Sequence, residues 1–442
     1  YQRRVRGMLF VQTLLICGTP NYTRVLNEND SAMSFTISQG GMEKFIKCGL
    51  ESAMIFINMV TIPPLHFSLN LGVTNIEFSL TDMRVKNAVV LNDNVEMFND
   101  GTFNVGVSNA TIEIELNWQF QQSSYPYLSD QGTGKILLTN AEIKAIIEAG
   151  YNTECAGHMK FKSSRANFYF QSLKVLLEGG SSWIYQSFID IVLNIVQKDL
   201  SNMMSDLLIK AISSLMNPMI EEDGFFFNYE KYPEVIKDDR FVSKMLVRDK
   251  FATMLYSGYT YKQDHLEDEF IQPQMLNRVI KNFQHKDMQF SFHAAGFNNA
   301  FYIFHKYFDL WSKPEKFVVN QAPKMRFTNV KALLALNVTQ NGQQRIVQLL
   351  GEPKMHTTKR KDPQAGTRNV TQIYFEFAPY PAQSAEGDAE IVQWMNQQIY
   401  HAGYQIDNTP FMIMDQFNHL FDAKDQVLRL YADYPTKCPR LE

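Results

Sequence analysis

The spacing of apolar residues predicts two amphipathic helices in the first half of the chain. Over residues 42–57, apolar side chains recur every three or four positions, Glu43 and Lys44 lie on the opposite side, and Pro63 closes the pattern. The stretch 183–215 contains neither Pro nor Gly and carries one wide face of Ile, Leu and Met. At about 1.5 Å per residue this second helix would be roughly 50 Å long, which exceeds the needs of a compact core.

Between these helices the apolar period changes to two, which predicts an antiparallel meander of strands. Residues 111–118 alternate cleanly, so Glu113 and Glu115 are expected on a solvated face. Residues 140–149 also suit a short helix. The predicted strands are 32–37, ahead of the first helix, and then 66–71, 76–80, 85–91, 102–107, 110–120, 134–138, 158–161 and 167–177.

The second half repeats this order of elements, which is the most informative regularity of the sequence. Residues 218–250 are polar and read as a loop, so the domain boundary is placed there. The predicted domains are a leader (1–30), an N-terminal domain (31–220), a linker (221–250) and a C-terminal domain (251–442). The later predicted elements are strands at 252–261, 326–338, 344–350, 371–377, 411–417 and 427–431, and helices at 297–308 and 387–401.

Composition narrows the function classes. The 442 residues carry a net charge of −4, which disfavours binding to nucleic acid through phosphate neutralisation. The chain is rich in Phe (33) and Met (21), which are large and adaptable side chains. This richness indicates either a core that favours these residues or a cavity that accepts an apolar guest of variable shape.

Catalytic and metal-binding motifs are not recognisable in the sequence. The stretch from Gly132 to Lys135 lacks the Ser or Thr of a phosphate-binding loop and is predicted to be a hairpin turn. The nine histidines are scattered, and the four cysteines form no zinc pattern. We therefore expect neither an enzyme nor a metal site. A hydrolase with an unrecognised triad is the least favoured hypothesis, after the lipid-binding and structural hypotheses given below.

The N-terminus and the glycosylation sequons favour a secreted or lumenal glycoprotein. Three arginines precede a short apolar run, which resembles a secretory signal or else a retained, partly buried segment. The apolar runs elsewhere are too short for a transmembrane helix. The N-x-Ser/Thr sequons start at Asn21, Asn29, Asn109, Asn337 and Asn369.

Four segments and the chain end together resemble one family. That family contains bactericidal permeability-increasing protein, lipopolysaccharide-binding protein and the phospholipid and cholesteryl ester transfer proteins. Residues 38–50 resemble its opening helix and 108–118 one of its strands. Residues 182–189 resemble the start of its second helix, 297–302 the helix that opens its C-terminal domain, and 409–434 its last two strands. The order of these segments carries the resemblance, which covers roughly 31–437.

The resemblance implies an α+β fold of two tubular lipid-binding domains. Each tube is a long helix wrapped by a twisted antiparallel sheet, and a central sheet joins the two in a boomerang. The family usually links its helix to a preceding strand by a disulfide. Cys155 occupies the strand position, and no cysteine lies near Met203 on the helix. Residues 1–220 hold 16 basic and 19 acidic side chains, which does not support attraction to anionic lipid.

The resulting hypothesis is non-enzymatic binding, and potentially transfer, of phospholipid or another acyl lipid, with roles such as innate immunity known in the family. The alternative is a structural or interaction module that keeps lipid as a permanent filler. Expected partners are lipid, a transient membrane surface and an unidentified protein. Lipid is expected to contact Met42, Phe45, Ile46, Leu50, Met54, Ile184, Phe188, Ile191, Ile195 and Met203 in the first pocket, and Phe297, Phe301, Phe304 and Phe308 in the second. Plain core packing competes with this role at each residue.

Overall fold

The chain folds into an α+β structure in which antiparallel strands predominate. This computed structural model describes residues 31–47, 61–70, 75–90, 92–98, 101–125, 127–152, 157–180, 189–211, 217, 226–229, 231–248, 250–266, 286–362, 366–381, 387–401, 404–407 and 417–434. The first half contains β1 (Met33–Ser38), helix α1 (39–47), β2 (Thr61–Ile62), β3 (Leu65–Asn70), β4 (Asn75–Val89), β5 (Asn92–Met97), β6 (Thr102–Gln122), β7 (Ser129–Tyr151), β8 (Met159–Glu178) and helix α2 (Ile189–Ala211).

The second half continues the same mixture of short and long strands. It contains β9 (Phe226–Tyr229), β10 (Tyr232–Asp238), β11 (Leu246–Arg248), β12 (Phe251–Tyr256), β13 (Tyr259–Lys262), β14 (Met288–His293), α3 (Ala294–Phe308), β15 (Val318–Val319), β16 (Lys324–Phe327), β17 (Ala332–Gln340), β18 (Gln343–Asp362), β19 (Gly366–Tyr380), α4 (Asp388–His401), β20 (Tyr404–Asp407), β21 (Asn418–Asp422) and β22 (Val427–Ala432).

The N-terminal sheet has the strand order β2-β4-β6-β7-β8, with β3 also paired to β4 and β5 to β6. Its three longest strands have 21, 23 and 20 residues, far beyond the usual strand length of roughly 3–10. Strands this long accumulate twist, so the sheet curls instead of lying flat. The predicted antiparallel meander over 65–178 is confirmed.

Bulges bend this sheet at the positions where the sequence pattern breaks. Asp82, Asn109 and Asn140 adopt φ of 50°, 56° and 51°, and the strand register shifts beside the first two. Asp and Asn enter this left-handed region more readily than most residues. Segments that the sequence pattern separates therefore belong to single strands. Strand β4 includes 76–80 and most of 85–91, β6 includes 102–107 and 110–120, and β7 includes 134–138 and 140–149.

The helical alternative for residues 140–149 is wrong. This segment is the second part of β7, and its burial alternates with a period of two. Ala141, Ala145 and Ile147 face inward, while Glu142 and Lys144 face solvent. Since neighbouring strands pair with both of its edges, the sheet decides the conformation of a sequence that also suits a helix.

A central sheet joins strands from both ends of the chain in the order β11-β12-β1-β14-β22-β21. Strand β1 pairs antiparallel with β12 on one side and β14 on the other. One face presents Met33, Phe35 and Ile37 to the core, and the Phe35 and Phe290 rings lie 4.7 Å apart. On the other face, the hydroxyls of Thr36 and Thr253 are 2.9 Å apart.

The C-terminal sheet has the order β15-β17-β18-β19-β20, with β16 also paired to β17. Helix α3 packs against β13 and β16, and α4 packs against β19. The strand predicted over 326–338 is divided into β16 and β17 because Thr328 and Lys331 close a turn. The predicted strand 252–261 is likewise two strands, β12 and β13. Of the predicted strand 411–417, residues 411–416 lie outside the described residues.

The polar segment 221–250, predicted as a linker loop, contributes three strands: β9, β10 and β11. Its four successive charged residues are buried because they pair with one another. Lys237 Nζ lies 2.8 Å from Asp239 Oδ2, and the Arg240 guanidinium makes two bonds of 2.9 and 2.7 Å to the Asp238 carboxylate. Breaking such a pair leaves a buried charge uncompensated, so these residues stabilise the segment only together.

Side-chain amides attach elements to the exposed backbone of neighbouring strands. In each case the amide oxygen accepts a backbone N–H, and the amide nitrogen donates to the carbonyl of the same residue. Such two-point bonds satisfy backbone groups that no neighbouring strand would pair. The pairs are Asn217 with Phe161, Asn298 with Met325, Asn396 with Phe377 and Gln426 with Phe327, at 2.6–2.9 Å.

A histidine caps the N-terminus of α3. The His293 Nδ1 accepts a hydrogen bond from the Ala295 N–H at 3.0 Å, which requires this nitrogen to be unprotonated. Burial lowers the pKa of His293, and the nearby Asp425 opposes that shift. Since the folded state binds the proton less readily than the unfolded chain, stability is complete above the ordinary histidine pKa and falls as the pH drops below about 6.5.

We predict that His293→Asn weakens this pH dependence, because asparagine caps a helix without titrating. The thermal midpoint Tm of the wild type should fall more between about pH 7.5 and pH 5 than that of the variant. Burial also lowers the pKa of His158 and His305, so part of the fall remains. Equal losses in both proteins would show that the cap does not titrate; His293→Ala, which lacks any cap, should be less stable at both pH values.

Candidate functional site

The inner face of the N-terminal sheet is a continuous apolar wall. Its members come from β2, β3, β4, β6, β7 and β8, and α2 packs on β8 at its edge. Along β6, alternate residues Ile112, Ile114, Leu116, Trp118 and Phe120 are all buried in this wall. The period-two pattern that predicted the strand therefore also determines which side chains face inward.

The outer face of the same strands is charged, as the sequence predicts for Glu113 and Glu115. Lys135 Nζ lies 3.1 Å from Glu113 Oε1, and Lys86 pairs with Glu115. These side chains are about one-third exposed or more, so the pairs contribute little stability. Their role is to keep this face in water and thereby fix which face turns inward.

Helix α2 presents a partly accessible apolar stripe to the wall. Leu200 and Met204 are buried against it, whereas Met203, Leu207 and Leu208 contact it but remain only half-buried. Their spacing of three and four residues places them on one face of the helix. These three apolar side chains therefore contact the wall and still keep accessible surface.

Hydrogen bonds hold α2 along the open edge of β8. The Ser205 hydroxyl donates to the Ser201 carbonyl at 2.8 Å and accepts the Phe168 N–H at 3.0 Å. Farther along, Asn217 makes its two bonds to Phe161 of the same strand. Polar side chains on α2 and after it therefore hold the helix against β8. The apolar stripe of α2 makes none of these hydrogen bonds.

An aromatic stack occupies the end of the wall near the β6–β7 turn. The ring centroids of Phe67 and Phe78 are 5.2 Å apart, and those of Phe78 and Trp118 are 6.2 Å apart. The Trp118 indole donates to the Glu178 carbonyl at 3.2 Å. A Cβ on Gly132 would lie 2.2 Å from that carbonyl oxygen and 2.6 Å from the indole nitrogen.

The hairpin turn predicted at Gly132–Lys135 is therefore wrong. These residues lie inside β7, and Gly132 pairs directly opposite Trp118. Glycine is required there because no side chain fits between the indole and β8. The alternating pattern of the flanking residues is the sequence signal that could have placed this segment in a strand.

The first helix lies in a different apolar cluster from Met203 and Leu207 of α2, although Leu208 and Ile209 at the end of α2 also reach the cluster of the first helix. Met42 is buried, and Phe45 and Ile46 are half-buried, in the core that the central sheet shares with the C-terminal half. The Phe45 ring meets Tyr434 edge-on at 6.4 Å. Met203 belongs to the N-terminal wall, so the described residues do not bring these members of the predicted first pocket together.

Other predicted residues cannot be placed to the same extent. Leu50, Met54, Ile184 and Phe188 lie outside the described residues, and so do all four cysteines and the sequons at Asn21 and Asn29. Ile191 and Ile195 lie on α2, and Asn369 lies in β19. Asn109 is exposed at a bulge, whereas the Asn337 side-chain oxygen accepts bonds from Asn320 and Gln344 at 3.1 and 2.8 Å.

The residues predicted for the second pocket form a dense aromatic core. Phe297, Phe301 and Phe304 are buried along one face of α3. Phe301 meets the Trp311 ring edge-on at 5.2 Å, and Phe304 lies 6.4 Å from the same ring. Further ring contacts of this core, at 4.6–6.4 Å, are Phe297 with Phe292, Phe327 and Phe375, Phe304 with Tyr229, Tyr232 and Phe308, and half-buried Phe308 with Tyr232.

The described residues contain neither a recognisable metal site nor a membrane-spanning helix. No three His, Cys, Asp or Glu side chains of the described residues are grouped to hold a metal ion. None of the helices in the described part of the chain is long and apolar enough to cross a membrane.

A profile of the LBP/BPI/CETP family, N-terminal domain, matches residues 50–219, which include the wall and α2. Residues 50–219 thus match the N-terminal domain of the LBP/BPI/CETP family. The resemblance carried by the sequence motifs is thereby confirmed. A BPI/LBP family protein of Arabidopsis thaliana is 22% identical over 295 residues, or 64% of this chain. The match spans 55% of that relative, so this chain corresponds to about half of its length.

The family fold extends across both halves of the chain. The crystal structure of a lipopolysaccharide binding protein aligns with 92% of this chain and 99% of its own, with a TM-score of 0.58 and 10% identity. The expected fold class is confirmed by this alignment and by the central sheet. At this identity, the likeness defines the fold and leaves the ligand open.

We predict that Phe304→Ala destabilises the protein by about 3–5 kcal/mol without changing how much lipid copurifies with it. The ring fills the aromatic core of α3, so its loss creates a cavity there and leaves the N-terminal wall intact. Urea unfolding measures the first effect and native mass spectrometry the second. The control Val330→Ala, at a side chain 70% exposed, should change stability by less than about 0.5 kcal/mol. Loss of bound lipid from folded Phe304→Ala would instead place lipid beside α3.

Proposed function

We propose that this protein, whose N-terminal half matches the LBP/BPI/CETP family, binds an acyl lipid, such as a phospholipid, between α2 and the N-terminal sheet. The observation that carries the proposal is the half-buried apolar stripe Met203, Leu207 and Leu208, which faces an apolar wall. An acyl chain laid along this stripe would remove it from water. The protein described as lipopolysaccharide binding shares the fold, which supports a lipid ligand.

The contrast with the C-terminal helices supports one principal site. On α4, Ile391 and Met395 are 0% exposed, and on α3 Phe304 is 0% and Phe301 5% exposed. Helix α2 also buries Leu200 and Met204, but Met203, Leu207 and Leu208 of its apolar stripe remain half-buried against the wall. We therefore propose that a bound acyl chain occupies the N-terminal half, while aromatic side chains fill the corresponding space beside α3.

Burial of the acyl chain alone supplies enough free energy for binding at such a site, without hydrogen bonds or ion pairs to the ligand. Each buried methylene contributes about 0.8 kcal/mol, so a twelve-carbon chain gains roughly 10 kcal/mol before the costs of association. The flexible Met203 side chain can adapt to chains of different shape. The proposed activity is therefore binding, without a catalytic step, and the ligand's headgroup would remain outside the apolar wall.

We predict that Leu207→Glu lowers lipid occupancy at least about tenfold, because a carboxylate would have to lie against the acyl chain. Asn202→Glu on the exposed side of the same helix is the matched control and should bind as the wild type does. Native mass spectrometry of the purified proteins and titration with a fluorescent phospholipid measure occupancy. A wild-type protein that carries no lipid and binds no probe would overturn the proposal, as would equal occupancy in both variants.

The second part of the proposal is that the protein transfers its lipid between membranes. The alternative is a structural module in which the lipid stays bound permanently. A transfer protein exchanges its lipid with vesicles, so it should accelerate movement of labelled phospholipid from donor to acceptor vesicles. A structural module would retain its lipid and leave that rate unchanged. The Leu207→Glu variant separates protein-mediated transfer from spontaneous exchange.

We also propose that the protein is secreted or lumenal and glycosylated, with Asn109 as the best-placed described acceptor. Its side chain is exposed, and Thr111 completes the sequon on the outer face of β6. Removal of N-linked glycan from protein expressed in eukaryotic cells should lower its mass, and Asn109→Gln should remove part of that difference. A role in innate immunity stays a prediction from the family.

A further inference from the structure

One part of the outer face of the C-terminal sheet carries no charged side chain, and we call it the neutral face. Two of its apolar residues are well exposed: Ile346 is 70% exposed and Val318 41%. The outer face of the N-terminal sheet differs, because ion pairs such as Lys135 with Glu113 keep it in water. An outward face with exposed apolar residues and no charge favours association with another molecule. The six residues of the neutral face are Val318 in β15, Asn320 just after it, Asn337 and Thr339 in β17, and Gln344 and Ile346 in β18.

A glycosylation sequon lies in the middle of the neutral face. It consists of Asn337, Val338 and Thr339, which are consecutive residues of β17. Since side chains alternate along a strand, Val338 is fully buried, whereas Asn337 and Thr339 both keep accessible surface on the outer side. The acceptor amide and the hydroxyl that the sequon requires therefore share this face.

Hydrogen bonds hold the Asn337 amide in one orientation. The Asn320 Nδ2 donates to Asn337 Oδ1 at 3.1 Å and to Thr339 Oγ1 at 2.9 Å, and Gln344 Nε2 donates to Asn337 Oδ1 at 2.8 Å. These bonds use only the oxygen of the Asn337 side chain. An N-linked glycan is attached to Nδ2 and leaves the amide oxygen able to accept hydrogen bonds, so a glycan here would preserve all of these contacts.

A glycan on Asn337 would lie against the exposed apolar residue of the next strand. Ile346 pairs directly opposite Asn337, and the Cβ atoms of such pairs are about 5 Å apart. The apolar C–H face of a sugar ring fits over the Ile346 side chain while the sugar hydroxyls stay in water. The sequon is the observation that favours a glycan over a protein partner as the cover of this face.

We propose that Asn337 carries an N-linked glycan that covers the neutral face and prevents copies of the chain from associating through it. In this modification the Asn337 Nδ2 forms a bond to the anomeric carbon of a polyprenyl-pyrophosphate-linked oligosaccharide, the polyprenyl pyrophosphate leaves, and Nδ2 loses one proton. The proposal rests on the secreted or lumenal location given above, and it adds to Asn109 a second acceptor whose glycan has a defined role.

Glycopeptide mass spectrometry of protein expressed in eukaryotic cells tests the site. The peptide that contains Asn337 should carry glycan in the wild type. It should carry none in Thr339→Ala, which lacks the sequon hydroxyl, and should keep it in the matched control Thr339→Ser. Glycan on Asn109 with a bare Asn337 would overturn this proposal alone, whereas a protein without glycan at any sequon would overturn the proposed location as well. Neither outcome affects the proposed lipid site, which lies in the N-terminal half.

Sedimentation velocity tests the role of the glycan. Asn337→Gln lacks the glycan and should self-associate, with a dissociation constant at least about tenfold below that of the wild type. Adding Ile346→Lys to this variant should restore the sedimentation of the wild type, because two copies would then bring like charges together.

Wild-type protein made without glycan in bacteria is the second measurement, since it alters no side chain and stands in if Asn337→Gln does not fold. It should self-associate in the same way, and Ile346→Lys should again reduce the association. A glycan-free protein that stays monomeric contradicts the shielding role, and so does an association that Ile346→Lys leaves unchanged.

Discussion

The pairing of β1 with β12 and β14 is the constraint on which the rest of the structure depends. This strand contributes hydrogen bonds on both edges and the side chains Met33, Phe35 and Ile37 to the shared core. Its partners follow it by more than two hundred residues in sequence. Because a strand at the centre of a sheet cannot be removed without exposing two edges, the N-terminal and C-terminal halves are joined through it. The central sheet is therefore built from both halves of the chain.

Curled antiparallel sheets create a second constraint, since their open edges and inner faces must be covered. The helices cover the open edges with hydrogen bonds from side-chain amides and hydroxyls, such as those of Asn396 with the Phe377 backbone and of Ser205 with the Phe168 backbone. They cover the inner faces in different ways. Aromatic rings from α3 fill the C-terminal half, whereas the smaller residues of α2 leave accessible apolar surface. The half-buried stripe on α2 is what makes the N-terminal half the better candidate for a lipid.

Much of the local structure could be predicted from the sequence because burial with period two or 3.6 follows directly from backbone geometry. The predictions were wrong at particular residues. Asp82, Asn109 and Asn140 resemble turn residues, yet they lie at bulges within continuous strands. Gly132 also resembles a turn residue, although it lies in β7 to make room for Trp118. The polar run from Lys237 to Arg240 resembles a solvated loop, but its charges pair with one another and are buried.

The sequence by itself determined the inward and outward faces of the strands and the family resemblance, because these depend on the order of residue types along the chain. Only the tertiary structure decided which apolar stripes share a cluster. Phe301 and Met203 both belong to apolar helix faces, but Phe301 is buried against Trp311, whereas Met203 is only half-buried against the N-terminal wall. Contacts between elements distant in sequence determine how much space remains beside a helix, and periodicity contains no information about that space.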